Sequence, residues 1–168
     1  MALDVSRLSV PDALVALRSF PRRYREVLRS FEGDDNIEAM ARRIGPRGTS
    51  AIDDTYDTVR TLELLGQSLQ QVLVHDGPVL HAGTLDPAER VWPEAPDEPI
   101  DSLLQQLTAA ATRLADAVDR VGAEEWTRSA TLTGSDRKVT ALDLLREAVR
   151  TGSDNLRAAE ADLADARR

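Results

Sequence analysis

The chain is 168 residues long, a length that suits one domain, since domains most often run to roughly 100–150 residues. It carries 29 acidic against 21 basic residues, a formal net charge of −8, which repels phosphate backbones and anionic lipid. It has no cysteine, which excludes a disulfide framework, a cysteine nucleophile and any thiolate-bound metal.

Hydrophobic spacing is helical almost from end to end. The first segment runs from about Asp12 to Phe31, with Leu14, Leu17, Phe20, Tyr24, Leu28 and Phe31 recurring every three or four residues. Ser9 reads as its N-cap and Pro11 lies near the first turn, while Pro21 predicts a kink or a break. Gly33-Asp34-Asp35-Asn36 is turn chemistry, a short helix follows over Ile37 to Arg43, and Gly45-Pro46-Arg47-Gly48 is a linker.

The second long helix starts near Thr49 or Ser50, with Asp53 three residues after Ser50 as in a capping box, and runs to about Val74. Gly66 lies on its apolar face and suggests a close helix approach. His75 to Pro99 is proline-rich and irregular, and a connector this long is often functional.

The third long helix spans about Pro99 to Val121 and stops at Gly122. Glu124 to Lys138 is a second connector, in which Trp126 is expected to pack over the bundle end and Thr131 to Asp136 to form a turn or a short extended piece. The fourth helix is capped by Thr140 with Asp143 three residues on, carries a seam from Leu142 through Leu163, and ends in a fraying tail over 162–168. Four such seams are best buried against one another, so the expectation is an all-α four-helix bundle, one domain over residues 1–168, with long connectors after the second and third long helices.

No apolar run approaches the ~20 residues that cross a membrane. Met1 to Pro11 carries Asp4 and Arg7 where a secretory signal has its apolar core. A cytoplasmic protein with neither a nucleic-acid nor a membrane partner is expected.

Chemistry-bearing residues are few. His75 and His81 are the two histidines and both fall on the first long connector, where they read as exposed loop residues or as a loop-borne acid–base or ligand pair. Asp53, Asp54 and Asp57 cluster at the start of the second helix; they suit magnesium, or a helix dipole with no ion at all. Glu147, Arg150 and Asp154 lie at intrahelical ion-pair spacing. There is no Gly-x-Ser-x-Gly elbow and no phosphate-cradling glycine motif.

Three stretches carry a family likeness: Ala16-Leu17-Arg18-Ser19-Phe20-Pro21-Arg22-Arg23-Tyr24; Gly48-Thr49-Ser50-Ala51-Ile52-Asp53; and Glu125-Trp126 followed by Thr140 to Val149, then Leu156-Arg157. In that order and spacing the chain resembles the DinB-like superfamily, on its actinobacterial branch near mycothiol-dependent maleylpyruvate isomerase. The resemblance implies a divalent metal held by one residue of the second long helix and two of the fourth. It also implies small-molecule chemistry that uses a low-molecular-weight thiol.

Matched without gaps, the ligand positions fall on Asp57, Arg150 and Asp154, with Asn155 where a further histidine is common; a slip of one residue would put Thr58 in place of Asp57. Arginine offers donors only and cannot ligate a metal. The expectation is therefore a degenerate site without a metal or other cofactor, in which Arg150 takes the place of the ion and bridges Asp57 to Asp154. Around it, His75, His81, Trp92 and Asn155 are the candidate pocket or lid residues.

The function expected is that of a non-standard or non-catalytic small-molecule-binding relative of metal-dependent thiol transferases. One alternative is an active mycothiol-dependent transferase or isomerase with an altered site, which would bring mycothiol as cofactor. The other is a magnesium-dependent helical hydrolase using Asp53, Asp54 and Asp57. Family habit adds a homodimer as an expected assembly.

Overall fold

The computed structural model describes residues 4–30 and 36–168. Phe31 and the Gly33-Asp34-Asp35 part of the first turn lie outside the described residues. The helices are α1 (Val10–Leu28), the short α2 (Ile37–Ala41), α3 (Ala51–Val74), α4 (Ile100–Asp119) and α5 (Ala141–Ala166).

Their starts are where the capping signals put them. Ser9 accepts from the Asp12 N–H at α1, and complete capping boxes pair Ser50 with Asp53 and Thr140 with Asp143. Three readings differ from the outcome. α1 runs unbroken through Pro21, so the break does not occur, and Leu17, Phe20 and Tyr24 are buried on either side of the proline. Gly122 has an ordinary φ of −68° and opens a 3-10 turn at Ala123–Thr127, so it is not a left-handed stop. The stretch from Asp162 is helical to Ala166, with Asp162 and Leu163 buried.

Each long helix packs on two others, in the ring α1, α4, α3, α5. Side-chain contacts give the directions. Leu8 lies by Arg146 and Tyr24 by Gly152, so α1 and α5 run the same way. Thr58 meets Asn155, and Asp54 lies across Arg47 from Asp162, so α3 and α5 run oppositely. Glu63 faces Arg113 and Val72 faces Arg128 beyond the end of α4, so α3 and α4 run parallel.

A parallel neighbour cannot be reached by a short turn. α3, with 24 residues, is about 36 Å long, and the chain must travel back along it before α4 can begin. That return is the His75 to Pro99 connector, called the crossover below. It contains β1 (Val79–Leu80) and two 3-10 turns, Ala82–Thr84 and Pro87–Glu89.

The second connector supplies β2 (Ser129–Leu132) and β3 (Lys138–Thr140). They form a hairpin with Ala130 opposite Val139, turning at Gly134, whose φ of 74° belongs to glycine. β1 adds to β2 in parallel, Val79 opposite Thr131 and Leu80 opposite Leu132. This small sheet ties the two connectors together and is the one departure from an all-helical reading.

The core is one continuous cluster. Leu17, Phe20, Tyr24, Leu62, Leu65, Leu107 and Leu144 are fully buried within it. Phe20 and Tyr24 meet edge to face, with centroids 6.2 Å apart. The close helix approach is at Gly152 of α5, where Phe20 lies against the backbone. At Gly66 the nearest atom to an added Cβ is Leu114 Cδ1 at 4.0 Å, so that glycine borders a groove between α3 and α4.

Candidate functional site

α3 and α5 face each other along polar as well as apolar positions. On α3 the 3.6-residue period turns Thr58 fully inward and leaves Asp57 half-buried at the rim. On α5, Glu147 and Thr151 are buried one turn apart, and Arg150, Asp154 and Asn155 are half-buried around them.

Two side chains of the crossover close this seam. The Trp92 indole N–H donates to Asp57 Oδ1 at 2.6 Å, and the Asn155 amide donates to Asp57 Oδ2 at 2.7 Å and to Thr58 Oγ1 at 3.0 Å. The Arg60 guanidinium lies 5.6 Å from the Trp92 ring centroid, within cation–π range.

Deeper in, Arg90 has a side chain only 2% exposed. Its Nη2 donates to Glu147 Oε1 and to the Thr84 carbonyl, its Nη1 to Thr151 Oγ1 at 3.1 Å, and its Nε to the Gly83 carbonyl at 2.7 Å. Glu147 also accepts both arms of Arg150, at 2.8 and 2.6 Å. Those bonds raise the Arg150 pKa above its ordinary value against the opposing effect of burial. Tyr24 anchors the floor: its hydroxyl shares a 2.7 Å bond with Thr58 Oγ1 and donates to the Gly152 carbonyl at 2.8 Å, and burial pushes its pKa up.

The bridge expected of Arg150 is thus only half there. Arg150 approaches Asp154 at 3.7 Å, but its strong bonds go to Glu147, and Asp57 is taken by Trp92 and Asn155. The helical wheel explains this: Asn155, not Asp154, faces α3, one position along from the gap-free match, and Arg150 points along its own helix to its i−3 neighbour.

Of the residues expected around the site, Trp92 and Asn155 both bond Asp57. His75 caps the far end of α3, about 27 Å along the helix from Asp57. His81 is exposed, and its Nδ1 accepts from the Gly83 N–H at 3.0 Å.

Asp53, Asp54 and Asp57 diverge. Asp53 closes the capping box, Asp57 turns to the crossover, and Asp54, itself buried, turns to the partly exposed Arg47. There Arg47 Nη2 sits between Asp54 Oδ2 at 2.7 Å and Asp162 Oδ2 at 2.8 Å. Burial pushes the Asp54 carboxyl up to about 6, outweighing the pull of the guanidinium.

Two participants, Arg90 and Arg47, escaped the sequence reading, and a third, Glu147, was read only at intrahelical ion-pair spacing. Arg90 and Arg47 lie in connectors without periodicity, where an arginine reads as solvated. Glu147 did leave a signal, since it stands at seam spacing from Leu144 and Thr151, but its spacing to Arg150 reads equally as a surface pair.

The donor set does not fit a divalent ion. Both Asp57 oxygens accept N–H groups, Glu147 accepts from two guanidinium groups, and among the described residues no three His, Asp or Glu side chains converge to hold a metal.

No protein-family model and no curated protein matches the chain. Among solved structures it is similar to YfiT from Bacillus subtilis, described as a probable metal-dependent hydrolase with an unusual four-helix bundle topology. The two share 10% sequence identity with a TM-score of 0.73, over 95% of this chain and 87% of that one. The likeness is one of fold, a four-helix bundle of the same topology.

Proposed function

We propose that this chain is a DinB-like small-molecule-binding protein whose α3–α5 centre works without a metal ion, a non-standard and non-catalytic relative of metal-dependent thiol transferases. The observation that carries the reading is the commitment of the acceptors. The oxygens of Asp57 and Glu147, which a metal would need, are bonded to Trp92, Asn155, Arg90 and Arg150.

Arginine is protonated at every accessible pH and supplies no lone pair, so a centre organised by Arg90 and Arg150 gives electrostatic recognition rather than Lewis acidity. The floor of Tyr24, Thr58 and Thr151 adds hydroxyls that both donate and accept. The Trp92 ring offers a flat apolar wall.

Elemental analysis of purified protein, paired with thermal melts in zinc, nickel, magnesium and mycothiol, tests this. The expected result is substoichiometric metal and no metal-dependent shift in Tm. Stoichiometric zinc or nickel, with a Tm gain lost in Asp57→Ala, would overturn the metal-free reading. Thiol-dependent turnover would overturn the non-catalytic one.

A further inference from the structure

The crossover is exposed on both sides of Arg90: Val91 is 87% exposed, and Glu89 and Pro93 also face solvent. A solvated arginine costs nothing in such a segment. This one is turned inward at the expense of its hydration, which is favourable only where the receiving groups are well placed.

The receiving groups match a planar cation with several donors. A carboxylate (Glu147), a hydroxyl (Thr151) and two carbonyls (Gly83 and Thr84) meet its three nitrogens. Thr84, whose carbonyl faces the guanidinium, also has a fully buried hydroxyl with no partner, an acceptor left over beside those in use. With Arg90 taken away, the buried Glu147 would keep Arg150 but lose one of its two guanidinium partners, while Asp154 stays paired with Arg150 and Arg157.

We propose that this centre is a binding subsite for a small organic cation of the guanidinium class, which Arg90 occupies from within as a built-in competitor. This deepens the small-molecule reading above and rests on it. The ligand seats when Arg90 withdraws, and the Trp92–Asp57 bond, two residues along the same segment, is disturbed with it.

The chain has two tryptophans, so Trp126→Phe leaves Trp92 as the reporter. That protein, and the same protein carrying Arg90→Ala, is titrated with ethylguanidinium chloride against sodium chloride of equal ionic strength. Circular dichroism checks folding, and Arg90→Gln, which keeps most of the aliphatic stem, serves if the alanine variant unfolds.

The expected result is a saturable change in Trp92 emission, with Kd lower by ~10-fold or more once Arg90 is removed, since the internal competitor no longer holds the site. Glu147→Gln abolishes the response. A response equal to that of sodium chloride in the Arg90 variants, or the same Kd with and without Arg90, overturns the proposal. Zinc and nickel binding are measured on the same samples: a bound metal sinks the metal-free reading of Asp57, whereas loss of the guanidinium response alone sinks only the self-occupied subsite.

Discussion

A methyl group placed on Gly152 would meet the Phe20 ring at 2.4 Å, and that ring is fully buried against Tyr24. The ring cannot yield without opening the α1–α5 contact, so Gly152→Ala is expected to cost about 1–3 kcal/mol through overpacking. At Gly66 the same methyl would come into ordinary van der Waals contact with Leu114 Cδ1 at 4.0 Å, and the change recovers about 0.5–1 kcal/mol of helix propensity. Urea unfolding of both variants should therefore move the midpoint in opposite directions. A Gly152→Ala protein as stable as the parent would refute the close-approach assignment.

Asp54 gives a pH dependence whose sign can be worked out. Its pKa is raised from 3.8 to about 6 in the folded chain by burial. Below about pH 4 the carboxyl is protonated whether the chain is folded or not. As pH rises through 6 the folded chain must give up a proton that the unfolded chain has already lost, and stability present at low pH is lost, by at most about 3 kcal/mol. Asp54→Asn removes this step. The gap in unfolding free energy between pH 4.5 and 7.5, with the stability at pH 4.5 taken as the higher, should shrink in the variant; an unchanged gap would mean that Asp54 does not titrate there.

At the scale of elements, the crossover is held by two polar anchors, Trp92 on Asp57 and Arg90 on Glu147, together with the two-residue β1. Trp92→Phe keeps a ring for Arg60 but takes the donor from Asp57. It should cost about 1 kcal/mol and speed amide exchange over 82–92 well before α3 or α5 is affected. Protection left as it was would mean that Arg90 alone holds the segment.

The anchors also mark the limit of what the sequence discloses. Helix starts were legible because Ser9, Ser50 and Thr140 announce them through chemistry within three residues. Trp92 and Asn155 were named from place and resemblance, and both bond Asp57. The inward turn of Arg90 was not, since nothing local distinguishes a buried loop arginine from a solvated one, and its partner Glu147 lies 57 residues away.

For the molecule as a whole, the four apolar seams and the long connectors already implied a bundle, but the directions of the helices did not follow from them. Parallel α3 and α4 are decided by how the ring closes, through Glu63 with Arg113 and Arg128 with Val72, and such pairings leave no periodic trace. The same holds for the site. The resemblance, matched without gaps, suggested Asp57, Arg150 and Asp154, whereas rotation of α5 about its axis put Asn155 against α3 and gave the buried cation to the crossover instead.

The return path of the crossover also divides the molecule. A nick at the exposed Val91 would split it into one piece with α1 to α3 and another with α4 and α5. All four packed pairs of long helices, α3 with α5, α1 with α4, α3 with α4 and α1 with α5, join one piece to the other, so nearly all the bundle's contacts run between the pieces. Neither half would have a hydrophobic interior of its own, and the pair would be natural material for a two-fragment reassembly reporter.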